Sequence, residues 1–383
     1  MGGAALLART WEPVATLTGF ASLPAETFAA GPPAGVFMRD GQRADAAPFA
    51  SQPVLGFSSL APAGEDWWWA LADNGFGTRL NSSDVLLRIY RVRPVWRERS
   101  GETARVEVDP VAVQLADPDR RVPFRIVHEE TRERPLTGAD FDPESLVTTE
   151  DGSFWIGDEV GPFLLHVDRQ GRLLEPPVEA PGVRSPDHPL LAPADRGAPS
   201  VATVGRSQGF EGLGHPPRSM RLLALLEAGM SGDSAGTTRI LEYDAGRRAW
   251  TGRTWTLAFE DRVVAATELV CHRADVCLVI ERDDRQGAAA LVKFVMAVGL
   301  PEAGGTVETG FVADLLGIAD PQNLGGFGFD FRFPFRTPEA VWPVDDRTLV
   351  LVNDNNFPAT GGRGDHVRDD SEFIRVRLAS ALP

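Results

Sequence analysis

Apolar runs of roughly four to ten residues, cut by short clusters of Gly, Pro, Asp and Asn, fill most of the chain, and no stretch sustains the period of a long amphipathic helix. Five times, an apolar run opened by an acidic or hydroxyl residue leads through a turn to a second run that ends in a carboxylate. The pairs are Ser58 to Asp73, Glu144 to Asp158, Glu211 to Glu227, Glu268 to Glu281 and Glu339 to Asp354. They recur roughly every 55 to 85 residues, which is the mark of a repeat architecture. Each midpoint is polar or turn-forming: Glu65-Asp66, Asp151, Ser219, Ala274-Asp275 and Asp346, with Asp151-Gly152 the clearest hairpin signal. Two strands folded back at these points place the start of the first beside the end of the second, so the acidic residues gather at one end of their hairpins.

A third and usually a fourth apolar run follow each hairpin, among them residues 104–115 in the first unit and 172–178 in the second. The fifth unit is one strand short, and residues 13–20 at the other end of the chain can supply it. The pattern predicts an all-β propeller of five four-stranded blades closed by an N-terminal strand, which removes exposed sheet edges. Six blades is the alternative, with a degenerate blade in residues 20–54 or 111–137. One propeller over residues 1–383, with a folded core over 11–383, is expected. Inserts at 20–54, 118–137, 176–206, 317–337 and 358–370 read as loops around the mouth of the ring.

Composition narrows the partners. The 54 acidic and 38 basic residues leave a net charge of −16, which repels nucleic acid and anionic membrane and suits cations. No apolar run approaches the ~20 residues that span a bilayer, and Met1 to Thr10 lacks the basic flank and length of a signal peptide. The two cysteines, Cys271 and Cys277, flank one predicted turn, either as a disulfide or as a pair of buried thiols. No HExxH or GxxxxGK[ST] motif occurs, Gly205-Arg206-Ser207-Gln208-Gly209 lacks the strand-to-helix context of a nucleophile elbow, and His166 reads as an ordinary packed residue. The run Trp67-Trp68-Trp69 reads as strand core rather than a sugar platform.

In a propeller the first strand of each blade lines the central channel. Glu144, Glu211, Glu268 and Glu339 should therefore point to the axis at one mouth, with Asp73, Asp158, Glu159, Glu227, Glu281 and Asp354 in a concentric ring. Like charges at ~4 Å repel by several kcal/mol even at a protein-like dielectric, and a divalent cation resolves the conflict. Oxygen ligands, with Asn74 and Asn355 beside the acids, suit Ca2+. The expected metal ligands are Asp73, Asn74, Glu144, Asp158, Glu211, Glu268, Glu339, Asp354 and Asn355. Catalytic roles fall to Glu144, Glu159, Glu211 and Glu268, with Glu159 or Glu268 taking a proton from water. Arg79, Arg206, Arg282 and Lys293 are the candidates for holding substrate. The other reading of these acids is that they accept backbone N–H bonds and pin loops.

The segments Ala72-Asp73-Asn74-Gly75-Phe76-Gly77, Asp140-Phe141-Asp142-Pro143-Glu144-Ser145, Trp155-Ile156-Gly157-Asp158-Glu159, Ser207-Gln208-Gly209-Phe210-Glu211-Gly212-Leu213 and Val352-Asn353-Asp354-Asn355-Asn356-Phe357-Pro358 resemble, in order, those of bacterial phytase-like proteins with esterase-like activity. The resemblance runs from about Thr16 to Leu378. It implies a β-propeller hydrolase of phosphoesters or related esters, calcium-assisted and exported to the periplasm or beyond the cell, acting as a monomer on a small-molecule ester. A Ca2+-dependent lactonase or carboxylesterase of the paraoxonase or gluconolactonase type is the alternative, and a non-catalytic propeller with structural Ca2+ the second. The first repeat departs from the others in carrying Ser58-Ser59 where they carry Glu.

Overall fold

Five antiparallel sheets make up almost all of the regular structure in the computed structural model, which describes residues 14–383 apart from 40, 193, 196, 197, 199 and 200. The stretch Met1 to Thr10, the first residues of the expected folded core and Pro13 of the expected closing strand lie outside the described residues. From the inside outward, the first blade runs Ser59–Pro62, Trp68–Leu71, Arg88–Val95 and Arg105–Val108, and the second Pro143–Thr148, Phe154–Asp158, Phe163–Val167 and Val178–Glu179. The third is Phe210–Gly214, Arg221–Leu226, Thr237–Asp244 and Ala249–Ala258, and the fourth Ala265–Cys271, Val276–Arg282, Lys293–Gly299 and Glu308–Asp314. The fifth takes Pro338–Asp345, Thr348–Asn353 and Ser371–Leu378 from the C-terminal end of the chain and Ala15–Leu23 from the other.

That last pairing closes the ring. Ala15–Leu23 lies antiparallel to Ser371–Leu378, from Ala15 opposite Leu378 to Leu23 opposite Ser371. The five innermost strands touch in blade order, and the fifth returns to the first. Neither insert expected to hide a sixth blade holds one. Residues 20–54 add only the short pair Phe28–Ala29 and Gln52–Pro53, and the run after Val111 adds only Val113–Gln114, which lies on Arg88–Val95.

Two expected strands are shorter than their apolar runs, and proline explains both. The run 104–115 breaks at Asp109-Pro110 into Arg105–Val108 and Val113–Gln114, and in 172–178 the Pro176-Pro177 pair leaves only Val178–Glu179 to form a ladder. Proline has no N–H to donate.

The apolar core is divided into five seams, one between each pair of neighbouring blades. Each sheet is therefore buried on both faces, which is why its strands read as continuous apolar runs. In Arg221–Leu226, Leu223 and Leu225 face the fourth blade while Leu222, Ala224 and Leu226 face the second. Trp68 and Trp69 likewise turn to opposite seams, packing edge-on against Trp342 and Phe154. Cys271 and Cys277 are direct cross-strand partners in the fourth blade and form a disulfide, the first of the two expected alternatives.

Because the closing strand packs into two seams, its removal or weakening should affect the whole ring. Leu17, 3% exposed, lies in the seam between blades four and five. Leu17→Ala is expected to cost about 3 kcal/mol, measurable as a lowered urea midpoint with one cooperative transition.

Candidate functional site

The channel glutamates reach their positions through β-bulges. In the ladders of blades three, four and five the register skips Glu211, Glu268 and Glu339, and in blade two Gly157 pairs with Ser145 while Asp158 pairs with Pro143, which skips Glu144. A bulge residue is unpaired and released from the in-out alternation of its strand, so its side chain can be aimed independently of the seams. Blade one has Ser58 at this point: its N–H bonds the Leu71 carbonyl, while Ser59 is the aligned partner of Leu71.

Two loop glycines admit the neighbouring acids. A Cβ on Gly56 would meet Asp354 Oδ1 at 1.8 Å, and one on Gly209 would meet the Glu159 backbone at 2.5 Å.

The rim acids enclose a cavity of about 380 Å3. Its walls include Asp73, Asn74, Asp142, Glu144, Glu159, Glu211, Glu227, Glu339 and Asp354, with Arg206, Arg282 and Arg336 among them. Carboxylate oxygens of Asp142, Glu144 and Glu159 all lie within 4.8 Å of one another, as do those of Glu144, Glu211 and Glu339. Glu144 belongs to both groups. At this spacing each ionised pair repels by a few kcal/mol.

Burial is the largest cause of the raised pKa values here, and mutual repulsion adds to it. Glu144 is held well above the usual range by burial and then by Asp142, Glu211, Glu339 and Glu159. Burial also raises Glu159, with Glu211 and Glu227 adding to the effect, and Glu339, with Asp354 and Glu211. Glu211 is pushed up to about 8 by burial and Glu227, and Asp354 to about 6 by burial. Burial opposes the charge of Arg282, but Glu227, Glu211, Glu339 and Asp284 outweigh it and hold the guanidinium above its ordinary value.

Several expected ligands stand behind the cavity. Asp158 accepts the Asp142 N–H at 2.8 Å and the Gly161 N–H at 2.7 Å, so it fixes the segment that carries Asp142 and Glu144. Asn355 Oδ1 accepts the Phe357 N–H at 3.0 Å. Asn74 lines the cavity, but its amide Nδ2 donates to Asp142 and its Oδ1 accepts the Gly77 N–H at 3.1 Å, which clips blade one to blade two.

Glu268 departs furthest from the expected rim. It takes a φ of 50° and lies deeper, in a space of about 60 Å3 beside Leu60, Leu146, Leu213 and Trp342. Its carboxylate accepts the Ser59 hydroxyl at 2.9 Å and the Leu269 N–H at 3.2 Å. Ser59, beside Ser58 at the bulge position of the first blade, is thus the partner of the glutamate of the fourth.

The basic candidates also separate. Arg282 binds Glu227 at 2.6 Å and Asp284 at 2.7 Å, leaving its buried Nε without a partner among the described residues. Arg206 pairs with Asp187 at the cavity edge. Arg79 donates to the Ala139 and Asp187 carbonyls and stands in an adjoining wall. Lys293 is fully buried, and its Nζ donates to Asp283 Oδ1 at 3.0 Å and to the Arg336 carbonyl at 3.0 Å; it is a strut rather than a substrate contact.

Asp142 and Arg336 were not among the residues expected from sequence. Asp142 had a usable signal, since it precedes Glu144 by two positions and an extended chain puts such residues on one side. Arg336 lies in an insert and had none. A second polar chain, Ser153 Oγ to His166 Nε2 and His166 Nδ1 to Glu175, has 3.0 Å at both steps. Ser153 is buried, shares its hydroxyl with Thr149 and donates its N–H to Asp151, so the chain fastens a hairpin and presents no nucleophile.

Fold and site together define a five-bladed propeller with a carboxylate-lined mouth. A model of the phytase-like family, described as esterase-like activity of phytase, matches residues 52–357, and the chain belongs to that family. The family implies a hydrolase of phosphatase or esterase type. An uncharacterized secreted protein of Arthroderma benhamiae (strain ATCC MYA-4681 / CBS 112371) is 29% identical over 153 residues, which cover 35% of this chain and 29% of that protein. This relative is fungal, so the expected bacterial affinity does not extend to it. Of the solved structures, a luciferin-regenerating enzyme is 11% identical with a TM-score of 0.41, covering 97% of each chain. A PQQ-bound aldose sugar dehydrogenase from Streptomyces coelicolor is 12% identical with a TM-score of 0.35, covering 94% of this chain and 98% of that one. No helix among the described residues is long and apolar enough to cross a membrane.

Glu268 allows a clean test of the electrostatics because it lies outside both three-carboxylate groups. Burial raises it from 4.5 to about 8. The native state therefore keeps a proton that the unfolded chain releases, and its contribution is full below pH 4.5 and lost as pH rises through about 8. Glu268→Gln removes this titration, although its single carbonyl oxygen can replace only one of the two oxygens that accept from Ser59 and Leu269, so its unfolding free energy relative to the parent is expected to rise by about 4 kcal/mol from pH 5 to pH 9. Urea titrations of metal-free protein at the two pH values measure the difference.

Proposed function

We propose that the protein is a divalent-metal-dependent phosphoester hydrolase, with Ca2+ as the resident ion, exported from the cytoplasm. The two carboxylate triads that share Glu144 carry this reading. The donor set fits a hard cation, being made of oxygens, and Glu159 Oε1 is buried with no hydrogen-bond partner among the described residues. Glu144, Glu211 and Glu339 would hold the ion together with Asp142, flanked by Asp73 and Asp354. A divalent ion bound there supplies Lewis acidity toward a phosphoryl oxygen and acidifies a water.

The side chains account for the remaining work. Glu159 keeps one oxygen uncommitted and is the best-placed group to take the proton of the attacking water. Glu268, expected to share this role, is occupied by Ser59 and Leu269 away from the cavity. Arg282, held by Glu227 and Asp284, lines the same walls as Arg336 and Arg206. Three guanidiniums around the acids favour a phosphoester over a lactone, whose carbonyl carries no formal charge to neutralise. The Cys271–Cys277 bridge and the secreted relative support export.

The test is hydrolysis of aryl phosphate mono-, di- and triesters beside lactones, with and without chelator. Phosphoester turnover is expected to vanish on chelation and return with Ca2+, and chelation is expected to lower the melting temperature. Glu144→Gln should lose both metal binding and activity, whereas Glu159→Gln should lower kcat by roughly 100-fold or more at nearly unchanged KM. Lactone turnover without phosphoester turnover would refute the assignment.

A further inference from the structure

The carboxylate cavity adjoins a larger groove of about 700 Å3, and the two share Gly77, Asp142, Arg206 and Ser207 in their walls. The groove lies between the segment 77–81 that follows the second strand of blade one and the long insert that carries Ser185, Asp187 and Arg206. A ligand with one end at the triads would reach it past Gly77, Asp142, Arg206 and Ser207.

The charges of this groove are balanced internally. Arg79 donates through Nε to the Ala139 carbonyl at 2.7 Å and through Nη1 to the Asp187 carbonyl at 2.8 Å, and Arg206 pairs with the Asp187 carboxylate. Arg206 and Asp187 therefore cancel, and the Arg79 guanidinium is engaged with backbone carbonyls, so among the described residues the wall holds no cluster of cations for further phosphate groups. Ala139, Val160 and Leu80 supply apolar surface, and Leu80 is 72% exposed although it lines the groove. An isolated, largely exposed Leu is unremarkable, but here it overhangs a concave site continuous with the acids.

We propose that this groove receives the alcohol portion of the ester, and that it selects a bulky uncharged alcohol over a polyanionic one such as a polyphosphorylated polyol. The proposal rests on the hydrolase reading for the orientation of the ligand, with the phosphoryl group at the triads. It assigns Arg79 and Asp187 to the wall, where they hold the two sides of the groove together, and Leu80 to the contact with substrate.

Binding separates the subsite from the chemistry. The full chain loaded with Ca2+ is titrated calorimetrically with methylphosphonate, with naphthylmethylphosphonate and with inositol hexakisphosphate, and turnover of the matching methyl and naphthyl phosphates is followed in parallel. Naphthylmethylphosphonate is expected to bind about tenfold more tightly than methylphosphonate, the scale of filling an apolar subsite. Leu80→Asp should erase most of that preference, and Leu80→Ala part of it. The substituted side chain is exposed, and melting curves establish that each variant is folded. Equal affinity for the two phosphonates, or a preference unchanged in Leu80→Asp, would overturn the proposal, and so would tighter binding of inositol hexakisphosphate than of the naphthyl compound. A preference for the naphthyl ligand without any turnover would uphold the subsite and remove the hydrolase reading instead.

Discussion

The constraint on which the structure turns is the confinement of many carboxylates in one place. Glu144, Glu159, Glu211 and Glu339 are each 8% exposed or less, and their oxygens fall into two groups within 4.8 Å. A chain that folded only to bury apolar surface would not assemble them, because each buried charge costs several kcal/mol unless it is protonated or paired. The five seams supply the opposing energy. They bury apolar side chains on both faces of every sheet, and the ring cannot form one blade at a time without leaving a seam open. Joining the first and last strands in one sheet therefore secures the mouth as well as the edge.

The division of labour within each inner strand makes this coexistence workable. Positions in register alternate between seams and are mostly apolar, whereas the bulge position near the start of each strand carries the acid. A bulge lets a glutamate leave the ladder without flipping its neighbours to the wrong face, which a simple one-residue slip would do. Function and stability are thereby assigned to different residues of one strand, and a change at the bulge need not disturb the seam beside it.

The blades were legible because the doubly buried strands produce apolar runs, and the rim acids because each opens or closes such a run. What could not be read was depth. Glu268 has the same local pattern as Glu211, yet it is turned away from the cavity by a partner 209 positions distant, Ser59. Lys293 read as a candidate for holding substrate; its partners, Asp283 and the Arg336 carbonyl, lie just past the strand it pairs with and on the segment that leads into the fifth blade. Arg336 sits in an insert with no periodicity at all. Asp142 was readable in principle, two residues before Glu144, but its role depends on Asp158 anchoring its backbone from the neighbouring strand. Local pattern reports which strand a residue belongs to, and contacts between distant segments decide what it faces.

Asymmetry follows from the same reasoning. A ring with five identical acidic positions would place an acid from every blade around one axis, and their repulsion would grow with the number of pairs rather than the number of blades. Ser58 at the acid's position removes one charge, and its neighbour Ser59 gives the glutamate of the fourth blade a hydroxyl donor while its own oxygen accepts the Leu146 N–H. The channel then has two levels. In the lower one a single acid is satisfied by a neutral network among leucines, and in the upper one the remaining acids stand together with arginines at their edge. Among the described residues of the channel, it is the upper level that keeps a buried carboxylate oxygen without a hydrogen-bond partner, at Glu159 Oε1. The serine pair of the first repeat thus leaves the remaining acids gathered at the mouth.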